Sequence, residues 1–207
     1  MKLVDMTLTK YLEVLESSAP APGGGSVSAL SSAQGAALVS MVAGLTIGKE
    51  KYAEYEEVCK ETGEKMLNLF EELHAAIDKD TDAFNVVAAA YKMPKDTDEE
   101  KAARSAAIRT ANVGATEVPF HTVELSLEGL RAMRNMAGKF NMNAASDFGV
   151  AAQSFLLGAR GAWLNVKINL PGVKDEALQA KFAKAEEMKN EAEIIANELF
   201  LEVEKSL

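Results

Sequence analysis

The chain has 207 residues, 48% of them hydrophobic and 26% charged, with a formal net charge of −9, which fits one globular domain with its own core. The acidic surplus argues against a nucleic-acid-wrapping surface, which needs Lys and Arg to neutralise phosphates. The single cysteine, Cys59, excludes an internal disulfide framework. The opening ten residues lack the continuous apolar core of a signal peptide, and no run of 18 uninterrupted apolar residues offers a membrane span. The expectation is a soluble, cytoplasmic protein.

The dominant period is helical. Leu8, Tyr11, Leu12 and Leu15 repeat at i, i+3, i+4 and i+7, with Thr7 placed as N-cap. Two prolines and three consecutive glycines in 18–25 stop this helix near Ser17. From Ser26 to about Leu45 there is no charge at all, and a helix that is small or apolar on every face belongs inside a bundle. The next helix is predicted from Glu50 to Lys92. In it Tyr52, Tyr55, Cys59, Thr62, Met66, Leu69, Leu73 and Ala76 step by threes and fours, as a packed seam does. Continued, the count lands on Asp80, Ala83, Val87 and Ala90, so one carboxylate occupies a position where the pattern calls for a hydrophobe.

Thr97 or Asp98 caps a fourth helix, with Glu99 and Glu100 in its first turn. It runs to about Ala137, Pro119 predicts a kink or break within it, and Gly138 is placed as C-cap. A fifth helix spans about Ala144 to Asn169 and is closed by Pro171 and Gly172. The last is predicted unbroken from Asp175 to the C-terminus. No strand, internal repeat or linker is visible. The fold class expected is all-α: a single-domain bundle of about six helices, with one buried small-residue helix and one long seam helix.

Three segments carry candidate chemistry. Gly23, Gly24, Gly25 and Ser26 precede a helix, whose free N–H groups receive anions and whose bare backbone admits a flat ligand. The segment matches no phosphate-loop pattern, and a tight interhelical connection is the competing account. Asp80 reads either as a carboxyl whose pKa burial lifts into a useful range, or as half of a buried salt bridge. Asn141, Asn143, Ser146 and Asp147 offer more hydrogen-bonding capacity than one helix cap requires, although capping alone accounts for much of it. Lys49 is a weaker candidate for an anionic ligand. His121, beside Pro119, is placed to line a pocket, and two histidines without H-x-x-x-H spacing make a zinc site improbable.

Taken together, APAPGGGSVSAL, VAGLTIGKEKY, DTDAFNVVAAAYKMPK and NMNAASDFGVAA with WLNVKINL, in this order from about Thr7 to Leu170, resemble the cyclodeaminase/cyclohydrolase family of folate enzymes. The resemblance implies an all-α homodimer with folate bound near the subunit interface and no metal or redox cofactor, the tetrahydrofolate derivative being the substrate. It implies that Asp80, four residues before the aromatic of D-x-x-A-F, is the catalytic aspartate. It implies that Gly23, Gly24, Gly25 and Ser26 form the ligand loop, and that Asn141, Asn143 and Asp147 match the N-x-N-x-x-S-D motif and anchor the pterin. Lys49 is assigned to the glutamate tail. Two reactions fit: hydrolysis of 5,10-methenyltetrahydrofolate to 10-formyltetrahydrofolate, or closure of 5-formiminotetrahydrofolate with loss of ammonia. The sequence carries no formiminotransferase domain, which tips the expectation towards the hydrolysis. A helical scaffold without activity is the third reading.

Overall fold

A computed structural model describes residues 1–207. It contains seven α-helices and no strand: α1 (Leu8–Leu15), α2 (Gly24–Gly44), α3 (Glu56–Tyr91), α4 (Asp98–Met136), α5 (Ala145–Asn169), α6 (Glu176–Ala183) and α7 (Ala185–Ser206). α2 lies between α3 and α5, α4 bridges those two, and α7 packs across α4 and α5. By length and composition α2 is apolar enough to cross a bilayer, but 56% of that window is buried inside the protein. Its small residues explain the position. Cβ atoms added at Gly158 and Gly161 of α5 would overlap the hydroxyls of Ser32 and Ser28, so the two backbones approach more closely there than side chains permit.

The seam of α3 is buried as its spacing predicts: Cys59, Thr62, Met66, Leu69, Leu73 and Ala76 are all inside. Asp80, on the same line, is half-buried. The helix itself starts later than predicted, because residues 50–55 form a 3-10 segment in which Tyr52 leaves helical geometry (φ −118°, ψ 18°). On α1, Tyr11 is buried but Leu8 and Leu12 are exposed, so only part of the expected stripe meets the core. Thr7 accepts the Lys10 N–H as its cap.

Thr97 and Glu100 form a reciprocal capping box at the start of α4. The break expected as one alternative at Pro119 does not occur, and α4 continues through it to Met136. The proline has no N–H for the Ala115 carbonyl, and Asn169 of α5 donates its Nδ2–H to that oxygen instead, at 2.7 Å. Gly138 follows α4 with φ +68°, the left-handed conformation that favours glycine at a helix end. The predicted last helix is two: the chain tightens at Lys184, whose N–H bonds Lys181 O at 3.3 Å, and Phe182 and Ala185 on either side are both buried.

Candidate active site

Asp80 stands in the middle of α3, where the N-terminus of α2 meets it. Ser26 donates its backbone N–H and its hydroxyl towards the carboxyl, with Ser26 Oγ 3.3 Å from Oδ2. That single O–H proton is shared with the nearer Ile77 carbonyl, 2.8 Å away, and the oxygen lies 3.2 Å from Thr81 Oγ1. Asp80 therefore caps α2 from another helix, where the unpaired N–H groups and the positive end of the dipole favour negative charge. Glycine is required beside it: a Cβ at Gly25 would overlap the Asp80 carboxyl. No Lys or Arg pairs with Asp80, so the buried salt bridge that competed as an explanation is absent. Burial pushes the carboxyl above its ordinary value, and the Ser26 hydrogen bonds pull partly against that.

The carboxyl opens into a cavity of about 310 Å³. The Gly23–Gly25 backbone forms one wall and Phe84 and Val87 of α3 another. Asn112 of α4 and Asn165 and Asn169 of α5 complete it, and Asp80 is the one ionisable residue in the lining. Each asparagine donates Nδ2–H to a backbone carbonyl: Asn112 to Gly172 at 3.3 Å, Asn165 to Gly161 at 2.9 Å and Asn169 to Ala115 at 2.7 Å. A carbonyl can only accept, so this fixes each amide's orientation and leaves its Oδ1 as an acceptor. The pocket offers one carboxyl, three amide oxygens, bare glycine backbone and two apolar side chains, which suits a flat heterocycle rich in N–H donors.

Sequence reasoning found Asp80 and the Gly23–Ser26 loop, and the structure brings them together. It missed the three asparagines as site residues. Asn165 and Asn169 lie in WLNVKINL, and their i, i+4 spacing sets both on one face of α5. Asn112 has no local signal. Asn141, Asn143, Asp147 and Lys49 lie elsewhere in the protomer, near the far end of α2, about 30 Å away for a helix of 21 residues. There Asn141 donates its N–H to Thr46 Oγ1 (2.9 Å) and its Nδ2–H to Leu45 O (3.3 Å). Its Oδ1 accepts from Tyr52 O–H (3.0 Å) and Asn143 N–H (3.1 Å). Asn141 thus ties the end of α2 to the start of α5. Lys49 and the Asn143 side chain face solvent. His121 does line a cavity, of about 530 Å³, between α3 and α4, where Glu72 and Glu124 hold its two ring nitrogens (3.0 and 3.2 Å).

The structure is an all-α bundle with a lone carboxyl set on a helix N-terminus and facing a cavity with no other ionisable residue in its lining. Residues 7–188 match the family model described as formiminotransferase-cyclodeaminase, and the chain belongs to that family. It is 47% identical over 171 residues to a methenyltetrahydrofolate cyclohydrolase of Methylorubrum extorquens, covering 83% of this chain and 82% of that protein. It is 32% identical over 202 residues to the formimidoyltransferase-cyclodeaminase of Sus scrofa, covering 95% of this chain but 37% of that longer protein. Among solved structures, the formiminotetrahydrofolate cyclodeaminase of Thermotoga maritima superposes with a TM-score of 0.80 at 27% identity, covering 98% of this chain and 96% of that one.

Proposed function

We propose that the chain hydrolyses 5,10-methenyltetrahydrofolate to 10-formyltetrahydrofolate, with Asp80 moving the proton. The observation that carries this reading is the isolation of Asp80: one carboxylate, without a cationic partner, at the bottom of an otherwise neutral pocket. The methenyl carbon lies between N5 and N10 and shares a delocalised positive charge, which an unpaired carboxylate stabilises. In the ionised form Asp80 takes a proton from water as its oxygen bonds to that carbon. In the protonated form it returns the proton to N5 as the carbon–N5 bond breaks. The hydroxyl proton is released as the carbonyl forms, leaving the formyl group on N10. The three asparagine oxygens accept from the N–H groups of the pterin, and Phe84 and Val87 flank its rings.

The cyclodeaminase reading keeps a specific support. The Thermotoga protein of that name is covered to 96% by this chain, so the extent of the match does not favour hydrolysis over cyclodeamination. The higher identity to the cyclohydrolase does. In the alternative, N10 bonds the carbon of the protonated formimino group as Asp80 takes the N10 proton, and Asp80 then returns that proton to the NH2, which leaves as ammonia. Absorbance of the methenyl group separates the two. Loss of the band on adding purified protein supports the hydrolysis. A band that appears from 5-formiminotetrahydrofolate and is otherwise untouched supports the cyclodeaminase, and no change with either leaves a scaffold.

We also propose that the working form is a homodimer formed through α2 and α5. The two helices carry outward apolar residues: Ala37 and Met41 on α2, and Val150, Leu157, Leu164 and Ile168 at heptad-like spacing on α5. The last four are 54–77% exposed, and Ile168 also lines the Asp80 pocket, so the stripe is continuous with the site. A twofold axis across this face sets the partner's far end of α2 beside the pocket. That arrangement would return Lys49, Asn141, Asn143 and Asp147 to the substrate, each protomer supplying them to the other's Asp80.

A further inference from the structure

Tyr11 of α1 is 5% exposed, and its hydroxyl is buried without a hydrogen-bond partner. Its ring packs with Ala29 of α2 and with Ala76 and Ile77 of α3. Ile77 is the residue whose carbonyl receives the Ser26 hydroxyl, and Asp80 follows one turn later. Asp80 lies near enough for its negative charge to oppose ionisation of the phenol, which burial opposes still more. An unpaired hydroxyl in an apolar cluster is costly, and a phenylalanine would fill the same space without that cost. The hydroxyl therefore has use for an acceptor, and the face of α3 that Tyr11 packs on carries Asp80 one turn beyond Ile77.

We propose that Tyr11 is a positioning residue for Asp80, its O–H delivering a hydrogen bond to the carboxylate, directly or across one water, when the pocket is occupied. The inference rests on the reading of Asp80 as the proton-transfer group. A neutral phenol donates a stronger hydrogen bond to the carboxylate than to the carbonyl oxygen of the carboxylic acid, so it favours the ionised form that must accept a proton from water. It opposes the burial that favours the protonated form. The other groups facing Asp80 are Ser26 of α2, Thr81 of α3, Asn112 of α4, and Asn165 and Asn169 of α5, none of which changes charge. A shift in the acid limb of the pH profile would therefore report Asp80 itself.

The test is Tyr11→Phe, assayed for methenyltetrahydrofolate hydrolysis from acid to alkaline pH, with Asp80→Asn alongside. The expected result is a kcat about tenfold lower at neutral pH, the order of one hydrogen bond to a charged group, with KM little changed. The acid limb should move to higher pH, because the ionised carboxylate has lost a donor. Melting should show the variant as stable as the parent, since only an unpaired hydroxyl is removed. An unchanged profile overturns the inference, and so does lower activity with the limb in place, which would indicate altered packing. If Asp80→Asn retains full activity, the reading of Asp80 fails instead, and the two failures are distinct.

Discussion

Asp80 is held between opposing influences: burial raises its pKa, and Ser26 N–H and O–H lower it. The net effect is upward, which has a consequence for stability. A carboxyl whose folded-state pKa lies above its unfolded value binds its proton more tightly when folded, so its ionisation costs stability as pH rises through and beyond the unfolded value. Asp80→Asn should therefore be more stable than the parent at neutral pH, with a higher Tm. The gain should vanish below the unfolded carboxylate range, where both side chains are neutral. Thermal melts at neutral and strongly acid pH check this, and a gain that is the same at both would contradict it. This residue was legible because a charge interrupted a hydrophobic count. The asparagines were not, since Asn112, Asn165 and Asn169 on helices read as ordinary polar faces until three separate helices converge.

Among the elements, α4 shows how one side chain preserves a helix that the sequence rule would break. Pro119 withdraws a donor from the Ala115 carbonyl, and Asn169 replaces it from α5. Asn169→Ala should destabilise by about 1–3 kcal/mol, the cost of leaving that buried-side carbonyl unpaired. Denaturant unfolding with an unchanged m-value would measure it, and a change below a few tenths of a kcal/mol would show that water takes the role. The same substitution removes one pocket acceptor, so KM should rise as well. The element boundaries that sequence periodicity located well are those with local chemistry: the Thr7 cap, the Thr97–Glu100 box and Gly138. Where the cause lies in another helix, as at Pro119, local pattern does not tell a broken helix from a continued one. At Lys184 the tightened turn lies between Phe182 and Ala185, both packed into the core, and nothing in the local sequence marks it.

For the whole molecule, the folded chain brings one group of the expected site residues together and leaves the other at the opposite end of α2. Order along the sequence could not separate them, because Lys49 and the Asn141 segment are distant from Gly23 in space for a reason set by the length of a single helix. The proposed dimer through the exposed stripes of α2 and α5 is the assembly that would reunite them. Leu157→Glu together with Leu164→Lys should convert a dimer into a monomer in light scattering, with a fall in turnover of tenfold or more and little loss of helicity. A dimer that survives both changes would remove this face from the account.

The central claim is that Asp80 transfers the proton, and a comparison of Asp80→Asn with the parent on 5,10-methenyltetrahydrofolate tests it most directly. Asparagine retains the shape and can still accept from Ser26, so binding should persist with KM within a few-fold. The account predicts a kcat lower by about 10²–10⁴-fold, the usual worth of a positioned acid–base group. A variant within tenfold of the parent, at unchanged KM, would contradict it.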